Sequence, residues 1–228
     1  QFSIKNPRET HEANVNGTVN LLIAAKNAGV KRFVFSSSSS IYGDQEKLPL
    51  TEDMIPNPIS PYALHKLVGE YYCKVFHKIY GLETVSLRYF NVYGPRQSPG
   101  GDYACLVPKF ILLIKAGKIP TINGDGKQTR DFTYVTDVVN ANILAATTKN
   151  NACFGEAFNI GGGKNISVNE VTNQIIKLTK KKIVPKHGPA VIEPKHTLAD
   201  MTKTNSLLKW KPKVNFEKGL KETFEYFS

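Results

Sequence analysis

Helix, strand, helix and strand alternate through residues 1–90, and this order restricts the fold more than any other feature of the chain. Thr10 to Ala28 carries an apolar stripe at helical spacing, Val15, Val19, Leu22 and Ile23, and Gly29 stops it. Lys31 to Phe35 (KRFVF) is a short apolar run of the kind that forms a buried parallel strand, and it leads into five serines. Asp44 to Pro61 is a Pro-rich loop, Pro61 to Tyr80 a long helix ended by Gly81, and Glu83 to Leu87 (ETVSL) the next strand. Strands separated by helices pair in parallel and take helices on both faces. The expected fold is therefore α/β, a doubly wound Rossmann-like parallel sheet.

The grammar changes near Asn91, where loops rich in Gly and Pro begin. Residues 1–90 read as one part of the chain and residues 91–228 as a smaller α/β domain, with some segments returning to the first; the family resemblance given below makes the first a partial dinucleotide-binding domain and the second mainly substrate-binding. Helices are predicted at Leu106 to Ala116, Val135 to Thr147, Ser167 to Leu178 and Phe216 to Phe227. Short strands are predicted near Thr121, at Ala157 to Ile160 and at Lys182 to Val184. No run approaches the roughly 20 apolar residues of a membrane helix, and no signal-peptide pattern opens the chain; a cytoplasmic enzyme without a membrane partner is expected. Cys73, Cys105 and Cys153 are too widely spaced for a zinc motif, and no metal is expected. The net charge of +11 suits an anionic ligand as well as a solvated surface. Its densest run, Lys177 to Lys186, lies beside a predicted helix end, where cations suit the dipole. No nucleic-acid-binding pattern accompanies it.

The strongest chemical signal is a pair of segments. Ser36 to Ser40 end the first strand, and 24 residues after Ser38 the sequence Tyr62-Ala63-Leu64-His65-Lys66 opens a helix. Tyr-x-x-x-Lys puts both side chains on one helix face. A lysine beside a tyrosine favours the phenolate and moves its pKa from about 10 toward the operating pH, as a general base requires. A serine at the C-terminal end of a neighbouring strand stands where open α/β sheets bind their ligands.

Six segments resemble the NAD-dependent epimerase/dehydratase branch of the short-chain dehydrogenases/reductases. They are FVFSSSSSIYG (Phe33 to Gly43), SPYALHKLVGE (Ser60 to Glu70), LRYFNVYGPRQ (Leu87 to Gln97), GDGKQTRDFTYVTDV (Gly124 to Val138), FNIGGG (Phe158 to Gly163) and HTLADMTKTNSLLKWKP (His196 to Pro212). The resemblance implies NAD as cofactor and a nucleotide sugar as substrate. It makes Tyr62 the general base, Lys66 the residue that holds the nicotinamide ribose, and Ser38 the partner of the reacting hydroxyl, with Ser37 and Ser39 as rivals. Asn14, Ser37, Tyr62, Lys66, Tyr89 and Phe90 would contact the cofactor. Ser38, Asn91, Leu106, Val107, Thr121, Ile122, Asn123, Arg130 and Thr197 would contact the UDP-sugar. Arg130 suits a diphosphate because a guanidinium clamps phosphate oxygens in bidentate fashion; its structural alternative is an ion pair with Asp131 or Asp137.

Family members that dehydrate sugars carry an Asp-Glu pair in the serine motif, and decarboxylases carry a Glu just before the apolar-Tyr-Gly. Here those positions read Ser39, Ser40 and Ile41. An oxidise–rotate–reduce cycle needs no such acid, so the resemblance favours 4-epimerisation of UDP-glucose/galactose or of the N-acetylated pair. The alternatives are a nucleotide-sugar reductase, another epimerase, or a non-catalytic nucleotide-sugar binding fragment. Thr197 is small at a position where a Tyr would narrow the pocket, which leaves room for an acetamido group. Two departures stand out. The glycine-rich cofactor turn with which the family opens is absent, so a chain lacking its N-terminal segment, with weak cofactor binding of its own, is expected. Ala190 and Ile192 replace the Arg and Gly of an Arg-x-Gly-Asp/Glu segment, and Lys186, His187 or Lys195 would have to supply the lost charge. The resemblance also implies a homodimer through a four-helix bundle of Thr10 to Ala28 and Pro61 to Tyr80. Leu67, Val68, Tyr71, Tyr72 and Val75 are shared between core and interface.

Overall fold

The computed structural model describes residues 2–100, 105–191 and 193–227. The chain opens with short helices α1 (Phe2–Lys5) and α2 (Pro7–His11), a π-turn at Glu12–Asn16, and α3 (Gly17–Asn27). Strand β1 (Arg32–Ser38), a 3₁₀ turn at Ser39–Tyr42, helix α4 (Pro61–Tyr80) and strand β2 (Glu83–Tyr89) follow. The predicted single helix from Thr10 is thus interrupted, and β1 runs on into the serines that the sequence reading left outside it.

Helix α4 is delimited by local chemistry. Ser60 caps it by accepting the amide of Ala63 at 3.2 Å, and Pro61 takes the first helical position. Gly81 ends it in the left-handed conformation, φ 70°, with its amide donated to His77 O. The helix lies close on β1. A Cβ at Gly69 would stand 2.3 Å from the Phe35 ring, so only glycine permits this approach.

Downstream come β3 (Asn91–Tyr93), α5 (Leu106–Lys115), β4 (Thr121–Asn123), β5 (Thr129–Tyr134), α6 (Val135–Thr147), β6 (Glu156–Ile160), β7 (Asn165–Ser167), α7 (Val168–Thr179), β8 (Lys186–Gly188) and α8 (Phe216–Tyr226). One sheet has the order β1-β2-β6, all parallel. A second has the order β3-β5-β7, and a third pairs β4 with β8. The chain passes from the first sheet to the second between Tyr89 and Asn91, and β6 returns to the first. The strand expected at Lys182 to Val184 forms four residues later, at Lys186–Gly188, beyond Pro185, which cannot donate to a ladder, and Lys186 N reaches Pro120 O at 3.0 Å.

Leucine and aromatic side chains divide the interior in step with the sheets. Val85, Leu87, Phe158, Ile160 and Trp210 pack on the α6 face of the first sheet. Phe35, Cys73, Phe76 and Leu22 fill the α4 face. Tyr93, Phe110, Ile114, Phe132, Ile175 and Phe216 form the core of the second half. Among the described residues no cysteine is joined in a disulfide, and Cys73 and Cys153 are buried. Among the described residues no helix is long and apolar enough to cross a membrane, and no cluster of His, Cys, Asp and Glu is placed to hold a metal.

Candidate active site

Strand alternation divides the serine run. Ser36 turns toward α6, where its Oγ lies 3.3 Å from the Tyr89 hydroxyl, which donates to Asn142 Oδ1 at 2.9 Å. Ser37 turns toward α4, where its buried hydroxyl donates to Glu70. Ser38 caps the 3₁₀ turn by accepting the amide of Ser40 at 3.2 Å. Ser38, Ser39 and Ser40 then line a cavity of about 220 Å³ with Tyr89, Phe90, Asn91, Arg130 and Thr197. The structure does not bring the Ser37 side chain to this cavity, because the pleat points it to the opposite face.

Asn91 and Arg130 also line a larger cavity of about 360 Å³, together with Leu106, Val107, Thr121, Ile122 and Asn123. Every residue expected to contact the substrate therefore lines one of two cavities that share Asn91 and Arg130. Two polar atoms in their walls are buried without a hydrogen-bond partner, Ser40 Oγ and Gln97 Oε1. Such atoms cost stability unless a ligand or water satisfies them. Gln97 was not singled out from the sequence, where nothing distinguishes it from a surface glutamine.

Tyr62 and Lys66 stand on the first two turns of α4, beside the end of β1. Lys66 Nζ donates to Ser36 O at 2.8 Å and lies 5.7 Å from the Tyr62 ring centre. Burial pushes the Lys66 ammonium below the ordinary lysine range. Neither residue lines the two cavities. Asn14 sits in the π-turn, half-buried, its carbonyl accepting the Thr18 hydroxyl at 2.6 Å. The donor set fits a nicotinamide nucleotide. An ammonium and a phenol suit a ribose, and Tyr89 and Phe90 line the sugar-sized cavity.

Arg130 is held at its post. Its Nη1 donates to the carbonyls of Thr129 (2.9 Å) and Lys195 (3.3 Å), and its Nη2 pairs with Glu193 at 2.8 Å. The ion pair considered from the sequence, with Asp131 or Asp137, does not form. Asp131 is fully buried and receives the amides of Gly162, Gly163 and Ala199; Asp137 receives those of Lys213 and Val214. Burial raises the Asp131 carboxyl to about 6 against these amides. Thr197 is buried, its Oγ1 accepting the amide of Asp131 at 3.2 Å. Ala190 lines a third cavity, with Lys195 and His196; Ile192 lies outside the described residues.

Beneath the serine turn runs a buried network that sequence reasoning missed. Glu70 accepts Ser37 Oγ and a bidentate grip from Arg88, with Nη2 at 2.8 Å and Nε at 3.0 Å. Arg88 also donates to Tyr42 Oη at 2.8 Å, and Tyr42 donates to Asn159 at 2.7 Å. Burial pushes the Tyr42 phenol up to about 12. Isolated charges in a strand or helix read as surface; only the parallel register, which sets Ser37 beside Arg88 and Arg88 beside Asn159, reveals the set.

A parallel sheet whose strand end presents serines beside a Tyr-x-x-x-Lys helix defines a protein of the short-chain dehydrogenase/reductase type. The chain belongs to the NAD dependent epimerase/dehydratase family, whose sequence profile matches residues 1–161. It is 40% identical over 228 residues to a putative UDP-glucose 4-epimerase of Methanocaldococcus jannaschii, covering 98% of this chain and 72% of that protein. Among solved structures it is similar to the UDP-N-acetylglucosamine 4-epimerase of Methanobrevibacter ruminantium M1 in complex with UDP-N-acetylmuramic acid. That match has a TM-score of 0.93 at 39% identity and covers 99% of this chain and 72% of that one. It is also similar to the UDP-glucuronic acid 4-epimerase of Bacillus cereus in complex with UDP-glucuronic acid and NAD, with a TM-score of 0.88 at 38% identity, over 95% of this chain and 67% of that one.

Proposed function

We propose that the protein inverts C4 of a UDP-sugar, glucose/galactose or the N-acetylated pair, by transient oxidation to a 4-keto sugar. The observation that carries this reading is the pair of cavities joined at Asn91 and Arg130. The smaller, walled by Ser38 to Ser40 and Thr197, has the size of a sugar; the larger, walled by α5 and β4, has that of a nucleoside. NAD supplies the hydride acceptor of the first half-reaction and its donor in the second. Tyr62 takes the proton of the sugar hydroxyl and returns it after the ring has turned. Lys66 favours the phenolate and holds the cofactor ribose, and Ser38 accepts from or donates to the reacting oxygen. The serine wall brings no carboxylate to the sugar. Among the described residues the acid lining that cavity is Glu193, which is held by Arg130. No described acid stands on the serine wall to promote elimination of water, which favours epimerisation.

Proton NMR of UDP-glucose and UDP-N-acetylglucosamine incubated with the full-length protein and NAD tests this reading. Appearance of the galacto epimers is expected; conversion of neither sugar would overturn it. Thr197→Tyr is expected to lower kcat/KM for the N-acetylated substrate about tenfold relative to the plain hexose. Arg130→Met is expected to weaken UDP binding, measured by calorimetry, by about 10- to 100-fold, the value of a charge-assisted contact.

The same reading includes a homodimer. Leu67 is buried in the core, whereas Tyr71, Tyr72 and Val75 on α4, with Leu21 and Ile23 on α3, are exposed. These apolar and aromatic groups on two adjacent helices suit a helical bundle with a second copy. The free thiols and the nicotinamide chemistry fit a cytoplasmic setting.

A further inference from the structure

The turn that carries Ser38, Ser39 and Ser40 is fastened at both ends to one buried ion pair. At its entry, the buried Ser37 hydroxyl donates to Glu70. At its exit, the buried Tyr42 hydroxyl accepts from Arg88 Nη1 at 2.8 Å and donates to Asn159 Oδ1 at 2.7 Å. Glu70 and Arg88 grip each other between these ends, with side chains 6% and 7% exposed. Parallel register makes the arrangement possible. Ser37, Arg88 and Asn159 stand side by side on β1, β2 and β6 and turn to one face of the sheet, while Ser38, the next residue, lines the smaller cavity. The turn's own hydrogen bonds are two, Ser40 N to Ser38 Oγ and Gly43 N to Ser40 O, both 3.2 Å long. A buried ion pair adds little to stability, since a well-packed apolar pair can match it. It is better suited to fixing direction, because its hydrogen bonds are charge-assisted and the guanidinium fork is rigid.

We propose that Ser37 and Tyr42 are positioning residues for the reaction: anchored to the Glu70–Arg88 pair, they hold the two ends of the serine turn so that Ser38 Oγ meets the sugar hydroxyl in one place. This rests on the reading of Ser38 as the partner of the reacting oxygen, and extends it to two residues outside the lining of the sugar-sized cavity. Misplacing a reacting group by about 1 Å can cost about 100-fold in rate. Release of one end of the turn is therefore expected to cost about tenfold. Either anchor can be removed without stranding a charge. In Ser37→Ala, Glu70 keeps both of its contacts with Arg88. In Tyr42→Phe the ring remains, and Arg88 Nη1 keeps the Glu52 carbonyl at 3.3 Å.

The test is a pair of double-mutant cycles on the full-length protein with NAD, with kcat and KM for C4 epimerisation read by proton NMR. Ser37→Ala and Tyr42→Phe are each expected to lower kcat about tenfold with KM nearly unchanged. Because both act through Ser38, neither is expected to lower kcat further in a Ser38→Ala background. An equal loss in both backgrounds, or an unchanged kcat in both single variants, overturns the proposal. Replacing Glu70 by Met together with Arg88 by Leu gives a second measurement. Wild-type-like urea unfolding with kcat still about tenfold down separates positioning from folding; full activity in that stable protein overturns the proposal. The two readings fail separately. If Ser38→Ala leaves kcat unchanged, the role of Ser38 falls and the anchors with it. If Ser38→Ala loses rate while Ser37→Ala and Tyr42→Phe do not, only the anchors fall.

Discussion

Replacing Tyr62 by Phe is expected to lower kcat for C4 epimerisation by about 10²- to 10⁴-fold, the usual worth of a positioned general base. The phenyl ring keeps its volume at the head of α4, whose cap is made by Ser60 and whose first position is taken by Pro61. Folding should therefore be untouched. UDP binding should also be nearly unchanged, since the residues lining the two cavities do not include Tyr62. Progress curves by proton NMR read the first quantity and calorimetry the second. A variant that retains more than a tenth of the wild-type rate would remove Tyr62 from the reaction. A variant that loses rate and UDP affinity together would make it a binding residue. Under the proposed mechanism the proton transfer would depend on Lys66, which donates to Ser36 O in the strand that ends in Ser38.

The second large effect concerns stability. Glu70→Ala is expected to destabilise the protein by about 3–5 kcal/mol, because it leaves Arg88 charged, buried and unpaired. The Ser37 hydroxyl loses its acceptor in the same change. Replacing Glu70 by Met together with Arg88 by Leu removes both charges and should restore most of that loss, since a well-packed apolar pair can match a buried ion pair. Urea unfolding of the single and double variants measures both. A double variant as unstable as the single one would show that packing around Tyr42 and Asn159, and not the stranded charge, sets the cost.

The alternation of helix and strand was legible because buried parallel strands and amphipathic helices leave their periods in the sequence. What escaped were features that depend on register or on single extra residues. The π-turn at Glu12–Asn16 lies within the helix read from Thr10, and of the adjacent Leu22 and Ile23 in its stripe Leu22 is buried while Ile23 faces out. The strands β3, β5 and β7 are three to six residues long, and β3, followed at once by Gly94 and Pro95, reads as loop. Several of the expected substrate residues fall on α5, β4 and β5, which line one cavity, whereas Tyr62 and Lys66 on α4 line neither of the two. The pleat, which turns the Ser37 side chain onto Glu70 and away from the cavity, is not visible in a run of identical letters. Glu193, the ion-pair partner of Arg130, was not singled out, since an acid in an irregular segment reads as surface.

The five serines are identical as letters and dissimilar as parts. Ser36 bridges to the helix on one face of the sheet, Ser37 anchors to the helix on the other, Ser38 caps a turn, and Ser40 presents an unsatisfied hydroxyl to a cavity. A run of this kind absorbs point changes of composition poorly and changes of length worse. Deleting any one of the five yields the same shortened sequence, so the chain cannot register which was lost. Yet every downstream position, from Ile41 through Tyr42 to the end of the loop, would be drawn back by one place against a strand whose faces alternate. The motif thus encodes its chemistry by counting, and its weak point is the slip of a single codon.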